Sequence, residues 1–209
     1  MQLFTRGIQM RGLPAVVGAH AIALRDHVAK NTGLDIGLWS IMFGAPVGSL
    51  AYTARVDGLA GYEQMTAALS GDAEWDALVV KGADMVVGPA VDSLRESLTP
   101  DLGDAPPVGS VATVTTAVIT GGHYAEAIGW GLDIAAHVTA VTGEPVMFMM
   151  DMFGTFGQVT WIGASPSCAD ADVLNGKLTA DATYMDKLGG AKGLFVEGQS
   201  RRSIAVRIA

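Results

Sequence analysis

The sequence has little cysteine, little charge and no long apolar run, and each shortage excludes a class of protein. Its single cysteine, Cys168, cannot form an intrachain disulfide bond, which is typical of a reducing compartment. No apolar run approaches the roughly 18–20 residues that span a bilayer. The first residues also lack the basic start and apolar segment of a secretory signal peptide. We therefore predict a cytoplasmic protein without a membrane partner.

Charge is scarce and mostly negative. Charged residues make up 16% of the chain, with 21 acidic and 13 basic residues and a formal charge of −8. This balance argues against nucleic acid as a partner. Half of the residues are apolar, which is enough for a sizeable core. A surface with so few charges would leave apolar area exposed, and monomers rarely expose large apolar patches. We therefore predict that a subunit interface covers part of the surface and that the protein is a homo-oligomer.

One stretch of the sequence occurs twice, 110 residues apart. The matching residues are His27-Val28 with His137-Val138, Thr32-Gly33 with Thr142-Gly143, and Met42-Phe43-Gly44 with Met152-Phe153-Gly154. After a deletion of one residue, Gly48 matches Gly157. The chain is therefore predicted to be a tandem duplication.

Each half has the same predicted order of elements, β-α-β-β-α-β. The predicted strands, rich in β-branched or apolar residues, are Leu3–Met10, Asp35–Phe43, Ser49–Val56 and Ala90–Leu98, then Val111–Thr120, Val146–Phe153, Gln158–Gly163 and Ser200–Ile208. The first helix of each half should end at a left-handed glycine, Gly33 or Gly143. The second helical region should span about 59–87 or 169–196. It is interrupted where Ser70 or Thr179 is expected to cap the next segment, with Asp72 or Asp181 in the first turn.

This order is the ferredoxin-like one, in which helices cover one face of an antiparallel sheet. The strands IGLWSIMF and VMFMMDMF are apolar on both faces, so the other face must also be buried. Two copies on one chain can bury each other's open faces. We therefore predict an α+β fold, an intrachain dimeric α/β barrel, with repeats at 1–98 and 111–209 and a linker at 99–110.

The two halves resemble the dimeric α/β-barrel superfamily. The resemblance is carried by strand order, the helix-Thr-Gly turn, and the segments LSGDAEWDALV and LTADATYMDKL. The superfamily includes antibiotic-biosynthesis-type monooxygenases, haem-degrading monooxygenases, NIPSNAP-like proteins and chlorite dismutases. The resemblance implies that an aromatic residue of the second helical region packs near a pocket between helices and sheet. The Asn-Trp-His set of the haem-degrading members has no clear match here.

Three residues are predicted to be catalytic. His27 and His137 lie beside the apolar stripe of the first helix of each half, where an imidazole could act as a base or ligate haem iron. Alternatively, both histidines have a structural role, in which backbone groups or water bond their ring nitrogens near the C-terminus of the helix. Asp151 is a carboxylate in an apolar strand and could be a general base, although an edge position explains it equally well.

A set of aromatic and methionine side chains is predicted to line an apolar pocket, although the same residues could simply pack the core. The predicted lining residues are Trp39, Tyr52, Trp75, Met149, Trp161 and Tyr184. His20 has Trp130 as its counterpart, so only the first half could use that position chemically, and a core or rim placement is expected. Arg201, Arg202 and Arg207 could pair with a neighbouring subunit or clamp an acidic ligand.

These observations predict a small-molecule-binding protein or a cofactor-independent enzyme, of monooxygenase or isomerase type. It would act on an apolar ligand in a cleft between helices and sheet. No metal and no organic cofactor are predicted. Two alternatives stay open, namely a non-enzymatic, oligomer-forming structural protein and a haem-binding protein that uses His27 or His137.

Overall fold

Eight antiparallel strands form a closed barrel in the computed structural model, which describes residues 1–101 and 103–209. The strands are β1 (Gln2–Gln9), β2 (Ile36–Phe43), β3 (Ser49–Val56), β4 (Val91–Ser97), β5 (Val111–Val118), β6 (Val146–Phe153), β7 (Gln158–Ser165) and β8 (Arg201–Arg207). The described part of the predicted linker contains no helix or strand, and Leu102 lies outside the described residues.

Among residues 1–101 and 103–209, six α-helices surround the barrel, three from each half. They are α1 (Pro14–Thr32), α2 (Gly58–Ala67), α3 (Ala73–Gly82), α4 (Tyr124–Thr142), α5 (Cys168–Ala180) and α6 (Ala182–Gly190). Helices α1 and α4 end as predicted, at Gly33 and Gly143, with φ of 71° and 83°. Within the described chain, no helix is long and apolar enough to cross a membrane.

The predicted caps of the second helical regions are wrong. Neither Ser70 nor Thr179 caps the next helix. Asp72 is the N-cap of α3 and accepts hydrogen bonds from the backbone N–H groups of Glu74 and Trp75. Asp181 caps α6 in the same way, accepting from Tyr184 N–H. An aspartate at the N-cap satisfies backbone donors that the helix leaves free.

The strand order around the barrel is β1-β3-β2-β8-β5-β7-β6-β4. Within each half this is the ferredoxin-like order. Moving four positions around the barrel carries every strand onto its counterpart, so the two halves are related by a pseudo-twofold axis along the barrel. The halves join where β2 pairs with β8 and where β4 pairs with β6. The predicted intrachain dimeric barrel is confirmed.

The two faces of the sheet bury different side chains. Outward-facing residues pack against the helices, as Phe4 does in the first half and Phe148 in the second. Because side chains alternate along a strand, the neighbours of these residues point into the barrel. Met149, next to Phe148, is fully buried there. The outward face of each half's sheet is thus covered by helices, and its inward face is covered by the sheet of the other half.

One helix–sheet contact is filled differently in the two halves: in the second half the strand residue is larger and the helix residue is smaller. In the first half, Leu38 packs against Ala21 of α1. In the second half the corresponding pair is Phe148 and Gly131. A Cβ atom at Gly131 would lie 2.3 Å from Phe148 Cζ, so the larger ring requires a glycine on the facing helix.

The two seams between the halves differ in polarity. At the β4–β6 seam, Arg95 pairs across the strands with Asp151, and Arg95 Nε donates to Asp151 Oδ1 at 2.8 Å. At the β2–β8 seam the corresponding pair is Ile41 and Ala205. The barrel therefore holds an ion pair on one side and an apolar contact at the equivalent place on the other.

Candidate functional site

Each half contains a cleft between its helices and the outward face of its sheet. Cleft one, in the first half, has a volume of about 230 Å³, and cleft two, in the second half, about 260 Å³. Cleft one is lined mainly by apolar side chains, including Phe4, Ile8, Met10, Leu24, Val28, Ile36, Tyr52, Met65, Leu69, Trp75, Val79 and Val86, together with Arg6 and His20. Cleft two is lined by residues that include Thr113, Thr115, Trp130, Ile134, Val138, Glu144, Trp161, Asn175, Leu178, Tyr184, Leu188 and Arg202.

Four of the predicted lining residues line these clefts. Tyr52 and Trp75 line cleft one, and Trp161 and Tyr184 line cleft two. Tyr52 Oη donates to the carbonyl oxygen of Ala21 at 3.3 Å, and burial raises the pKa of Tyr52 to about 12. The counterpart Trp161 Nε1 donates to Gly131 O at 3.0 Å. The polar atoms of Tyr52 and Trp161 are therefore already bonded to the adjacent helix.

The other three predicted strand residues, Trp39, Met149 and Asp151, lie on the inward face of the sheet and line neither cleft. Trp39 Nε1 donates to Thr53 Oγ1 at 3.1 Å. Besides its contact with Arg95, Asp151 accepts a hydrogen bond from Gln158 Nε2 at 2.8 Å. Burial raises the pKa of Asp151 overall, although the nearby guanidinium lowers it. These three residues do not share a cavity with His27 or His137.

His27 and His137 make the same contact in both halves. His27 Nε2 lies 2.8 Å from Asp72 Oδ2, and His137 Nε2 lies 2.9 Å from Asp181 Oδ1. Because an ionised carboxylate only accepts, each ring nitrogen is the donor. The pKa of Asp72 is lowered by backbone N–H groups of α3 and by the side chain of His27. The pKa of Asp181 is lowered by the side chain of His137 and by backbone N–H groups of α6. Each histidine thus ties the first helix of its half to the N-cap of the last.

These contacts bear on haem or metal binding. A haem ligand needs a ring nitrogen that faces a cavity, and neither His27 nor His137 is among the residues that line cleft one or cleft two. Neither histidine is therefore placed to ligate a haem in cleft one or cleft two. Among residues 1–101 and 103–209, no group of three or more His, Cys, Asp or Glu side chains is placed to hold a metal ion.

His20 is a polar residue of cleft one that sequence reasoning did not place in a site. It is 5% exposed, and within the described chain no hydrogen bond reaches its buried Nδ1 atom. The ring fits because residue 82 is glycine, where a Cβ atom would lie 2.1 Å from His20 Nε2. Burial lowers the pKa of His20, and the charge of Lys81 lowers it further. The imidazole is therefore neutral near pH 7.

Cleft two has no such group at the equivalent place. Its counterpart to His20 is Trp130, whose Nε1 donates to Lys187 O at 2.9 Å. Trp130 contacts Trp161 edge-to-face, with 5.8 Å between ring centroids. Phe148 stacks on Trp161 at 4.8 Å. Cleft two is thus walled by an aromatic cluster whose indole N–H groups are satisfied.

The three arginines of the last strand have different surroundings. Arg207 is buried and bonds within its own chain, to Asp35 Oδ1 at 3.0 Å and to Pro106 O at 2.6 Å, so it does not clamp a ligand or a neighbouring subunit. Arg202 lines cleft two. Arg202 and Arg201, the residue before it in the strand, are both exposed.

The fold is similar to that of several solved structures at low sequence identity. One is a protein provisionally described as a monooxygenase from Fusobacterium nucleatum subsp. nucleatum, with a TM-score of 0.70, 9% identity, and coverage of 100% of this chain and 92% of that chain. Another is an anthrone oxidase-like protein, with a TM-score of 0.66, 12% identity, and coverage of 100% and 92%. A third is a mutant chlorite dismutase from Candidatus Nitrospira defluvii, with a TM-score of 0.56, 9% identity, and coverage of 98% and 91%.

No protein-family model matches the sequence, and no curated protein matches it. At these identities the similarity establishes the fold. The chain has the dimeric α/β-barrel fold that its sequence resembles, with both sheets on one chain.

Proposed function

We propose that this chain binds a small, largely apolar molecule in cleft one and transforms it without an organic cofactor, with His20 as the proton acceptor. The observation that carries the proposal is a buried imidazole without a hydrogen-bond partner in the described chain, on the wall of an apolar cleft. An unsatisfied buried polar group costs about 1–3 kcal/mol. A ligand that bonds to His20 would offset that cost. The lone cysteine supports a cytoplasmic location.

A neutral imidazole in apolar surroundings suits proton abstraction from a weak carbon acid. The lowered pKa keeps His20 unprotonated near neutral pH, so its free lone pair can accept a proton. The lining supplies flat apolar surface, from Tyr52 and Trp75 for example, which would hold an aromatic substrate by burial. The substrate class that fits is therefore an aromatic ketone or phenol with an acidic C–H or O–H group.

Anthrone is a suitable probe, because one structural neighbour is anthrone oxidase-like and anthrone is a flat aromatic ketone with an acidic methylene group. His20 would take one methylene proton and leave an enolate. The enolate carbon would bond to dioxygen, and the proton would return to give a hydroperoxide. Loss of water, with cleavage of the second C–H bond, would form the new carbonyl group. One anthrone and one dioxygen thus give one anthraquinone and one water.

The test is aerobic oxidation of anthrone followed by absorbance, with His20→Phe compared with wild type. Loss of a general base should lower kcat about 100-fold or more, with a smaller change in KM. His123→Phe is a matched control, since its imidazole lies outside both clefts on an exposed side chain. If His20→Phe oxidises anthrone as fast as wild type, or if wild type gives no rate above buffer, the assignment of His20 is wrong.

The predicted catalytic roles of His27, His137 and Asp151 are tested in the same assay. Their contacts to carboxylates or to Arg95 favour structural roles. We therefore expect His27→Gln and His137→Gln to lower the urea midpoint of unfolding while kcat changes less than threefold or so, far below the effect of removing a general base. A loss of kcat as large as that of His20→Phe, with unchanged stability, would restore them as catalytic residues.

A second candidate function, a homo-oligomer formed for structural purposes, is favoured by exposed apolar residues at one end of the barrel. Phe43 and Val47 in the β2–β3 hairpin are 71% and 95% exposed, and Phe156 in the β6–β7 hairpin is 86% exposed. Strands β2 and β6 lie four antiparallel steps apart, so they run in the same direction and both hairpins lie at the same end. Native mass spectrometry of wild type and of Phe43→Ser/Phe156→Ser tests this. An oligomer that the double variant disrupts supports it, and a wild-type monomer contradicts it.

A further inference from the structure

The two clefts differ in charge at one equivalent place. In the first half, Arg6 lies between Tyr52 of β3 and Asp92 of β4. In the second half, Thr115 lies between Trp161 of β7 and Arg202 of β8. Because Trp161 is the counterpart of Tyr52, the pair Thr115–Arg202 stands where the first half has the pair Arg6–Asp92. In the second half the guanidinium lies on β8, the counterpart of β4, and the pair contains no carboxylate.

The consequence is that only one of the two guanidinium groups is neutralised. Arg6 donates to both carboxylate oxygens of Asp92, with Nε–Oδ1 at 2.8 Å and Nη2–Oδ2 at 2.7 Å. For Arg202, the described residues provide no carboxylate partner, and its one side-chain hydrogen bond reaches Asn175 Oδ1 at 3.4 Å. Arg202 is exposed and lines cleft two, and most of its five N–H donors have no partner among the described residues.

The surroundings of Arg202 suit an anion attached to an aromatic ring. Trp130, Trp161 and Tyr184 form aromatic walls, and both indole N–H groups are already bonded to backbone carbonyls. The Thr115 hydroxyl makes no hydrogen bond with any residue of 1–101 or 103–209 and lies on the strand next to Arg202. The two side chains together offer three or more donors to one oxyanion.

The one carboxylate among the residues that line cleft two lies elsewhere in it. Glu144 precedes β6, whose first residue, Val146, pairs with Gly163 of β7. Gly163 pairs with Thr113, two residues before Thr115 on β5. At roughly 3.3 Å per residue, Glu144 and Arg202 are separated by on the order of 10 Å along the strands. Glu144 therefore leaves the charge of Arg202 uncompensated.

We propose that cleft two is a separate binding site for a small aromatic carboxylate, whose carboxylate group pairs with Arg202 and Thr115 and whose ring lies against Trp130, Trp161 and Tyr184. This site does not depend on the activity proposed for cleft one. The two halves of the barrel would then bind different molecules, a neutral apolar one in cleft one and an anionic one in cleft two.

The test is calorimetric titration of the full chain with 2-naphthoate and with the neutral isostere 2-naphthamide. Wild type should bind the acid several-fold more tightly than the amide, by about fivefold at most, because the guanidinium of Arg202 is exposed. Arg202→Gln should remove this preference and leave the affinity for the amide unchanged. Arg201→Gln is the matched control, because it removes the same charge from the adjacent residue, whose side chain points to the other face of the strand.

A second variant guards against indirect effects of losing Arg202. Thr115→Asp restores a carboxylate beside Arg202, as Asp92 stands beside Arg6, and should abolish the preference for the acid while Arg202 is kept. The proposal is wrong if wild type does not bind 2-naphthoate, if it binds acid and amide equally, or if Arg201→Gln weakens binding as much as Arg202→Gln does.

Discussion

The ion pair at the β4–β6 seam gives a sharp prediction, because the other seam shows what would replace it. Asp151 and Arg95 correspond to Ile41 and Ala205, which form an apolar pair in the same strand register. The variants Asp151→Ile, Arg95→Ala and their combination therefore convert one seam, step by step, into the other. The side chain of Asp151 is buried, at 2% exposed, and that of Arg95 is mostly buried, at 14% exposed.

The expected magnitudes follow from burial. Among the described residues, Asp151→Ile leaves the mostly buried Arg95 guanidinium with only the Thr5 hydroxyl as a partner, and an unpaired buried charge costs up to about 3–5 kcal/mol. Arg95→Ala should cost less, because burial already raises the pKa of Asp151 and its carboxyl group can take up a proton. The double variant leaves no charge at the seam, and its free energy of unfolding should exceed that of Asp151→Ile by about 2 kcal/mol or more. It stays below wild type, since Gln158 loses its acceptor.

Urea unfolding followed by circular dichroism measures these differences, with four proteins in one cycle. Strictly additive losses would refute the reasoning, since additivity means that the two side chains do not interact. So would a double variant less stable than Asp151→Ile. The same proteins test the predicted catalytic role of Asp151, because a well-folded double variant that still oxidises anthrone removes it.

Three further predictions concern packing and ionisation. Gly131→Ala should destabilise the chain by about 1–3 kcal/mol through overlap with Phe148, and Phe148→Leu should rescue it, as urea unfolding of both variants would show. Because the pKa values of Asp72 and Asp181 are lowered in the folded state, their stabilisation is complete above the unfolded value near 4 and is lost as pH falls through the folded values. Asp72→Asn/Asp181→Asn should therefore flatten the decline of the urea midpoint below about pH 4, and an unchanged slope would contradict this. Tyr52 has a raised pKa of about 12, so an absorbance titration should show one tyrosine ionising late, and Tyr52→Phe should remove that step.

Much of the fold could be predicted because it is set by local patterns repeated in both halves. Glycines end α1 and α4 at the predicted positions, and every strand end lies within two residues of its predicted position, because Gly and Pro bound the strands. The caps at Asp72 and Asp181 were mistaken for first-turn residues. Serine, threonine and aspartate are all favourable N-cap residues, so the residue types alone do not tell which of them occupies the N-cap position.

The candidate site was harder to predict because it depends on which face of a strand a residue occupies. Leu38 and Trp39 are both apolar, so no alternation indicates which one faces the helices. Tyr52 and Trp161 do face the helices, whereas Trp39 and Met149 point into the barrel. His20 could not be assigned to a cleft from sequence, because its lack of a partner depends on Gly82 and on the packing of α1 against α3.

The crystal structure of the protein soaked with anthrone under anaerobic conditions would test most directly whether cleft one is a substrate site. We expect ordered anthrone against Tyr52 and Trp75, with a reacting atom within hydrogen-bond distance of a ring nitrogen of His20. Anthrone bound in cleft two or at the β2–β3 hairpin, with cleft one closed by its own side chains, would contradict the proposed function.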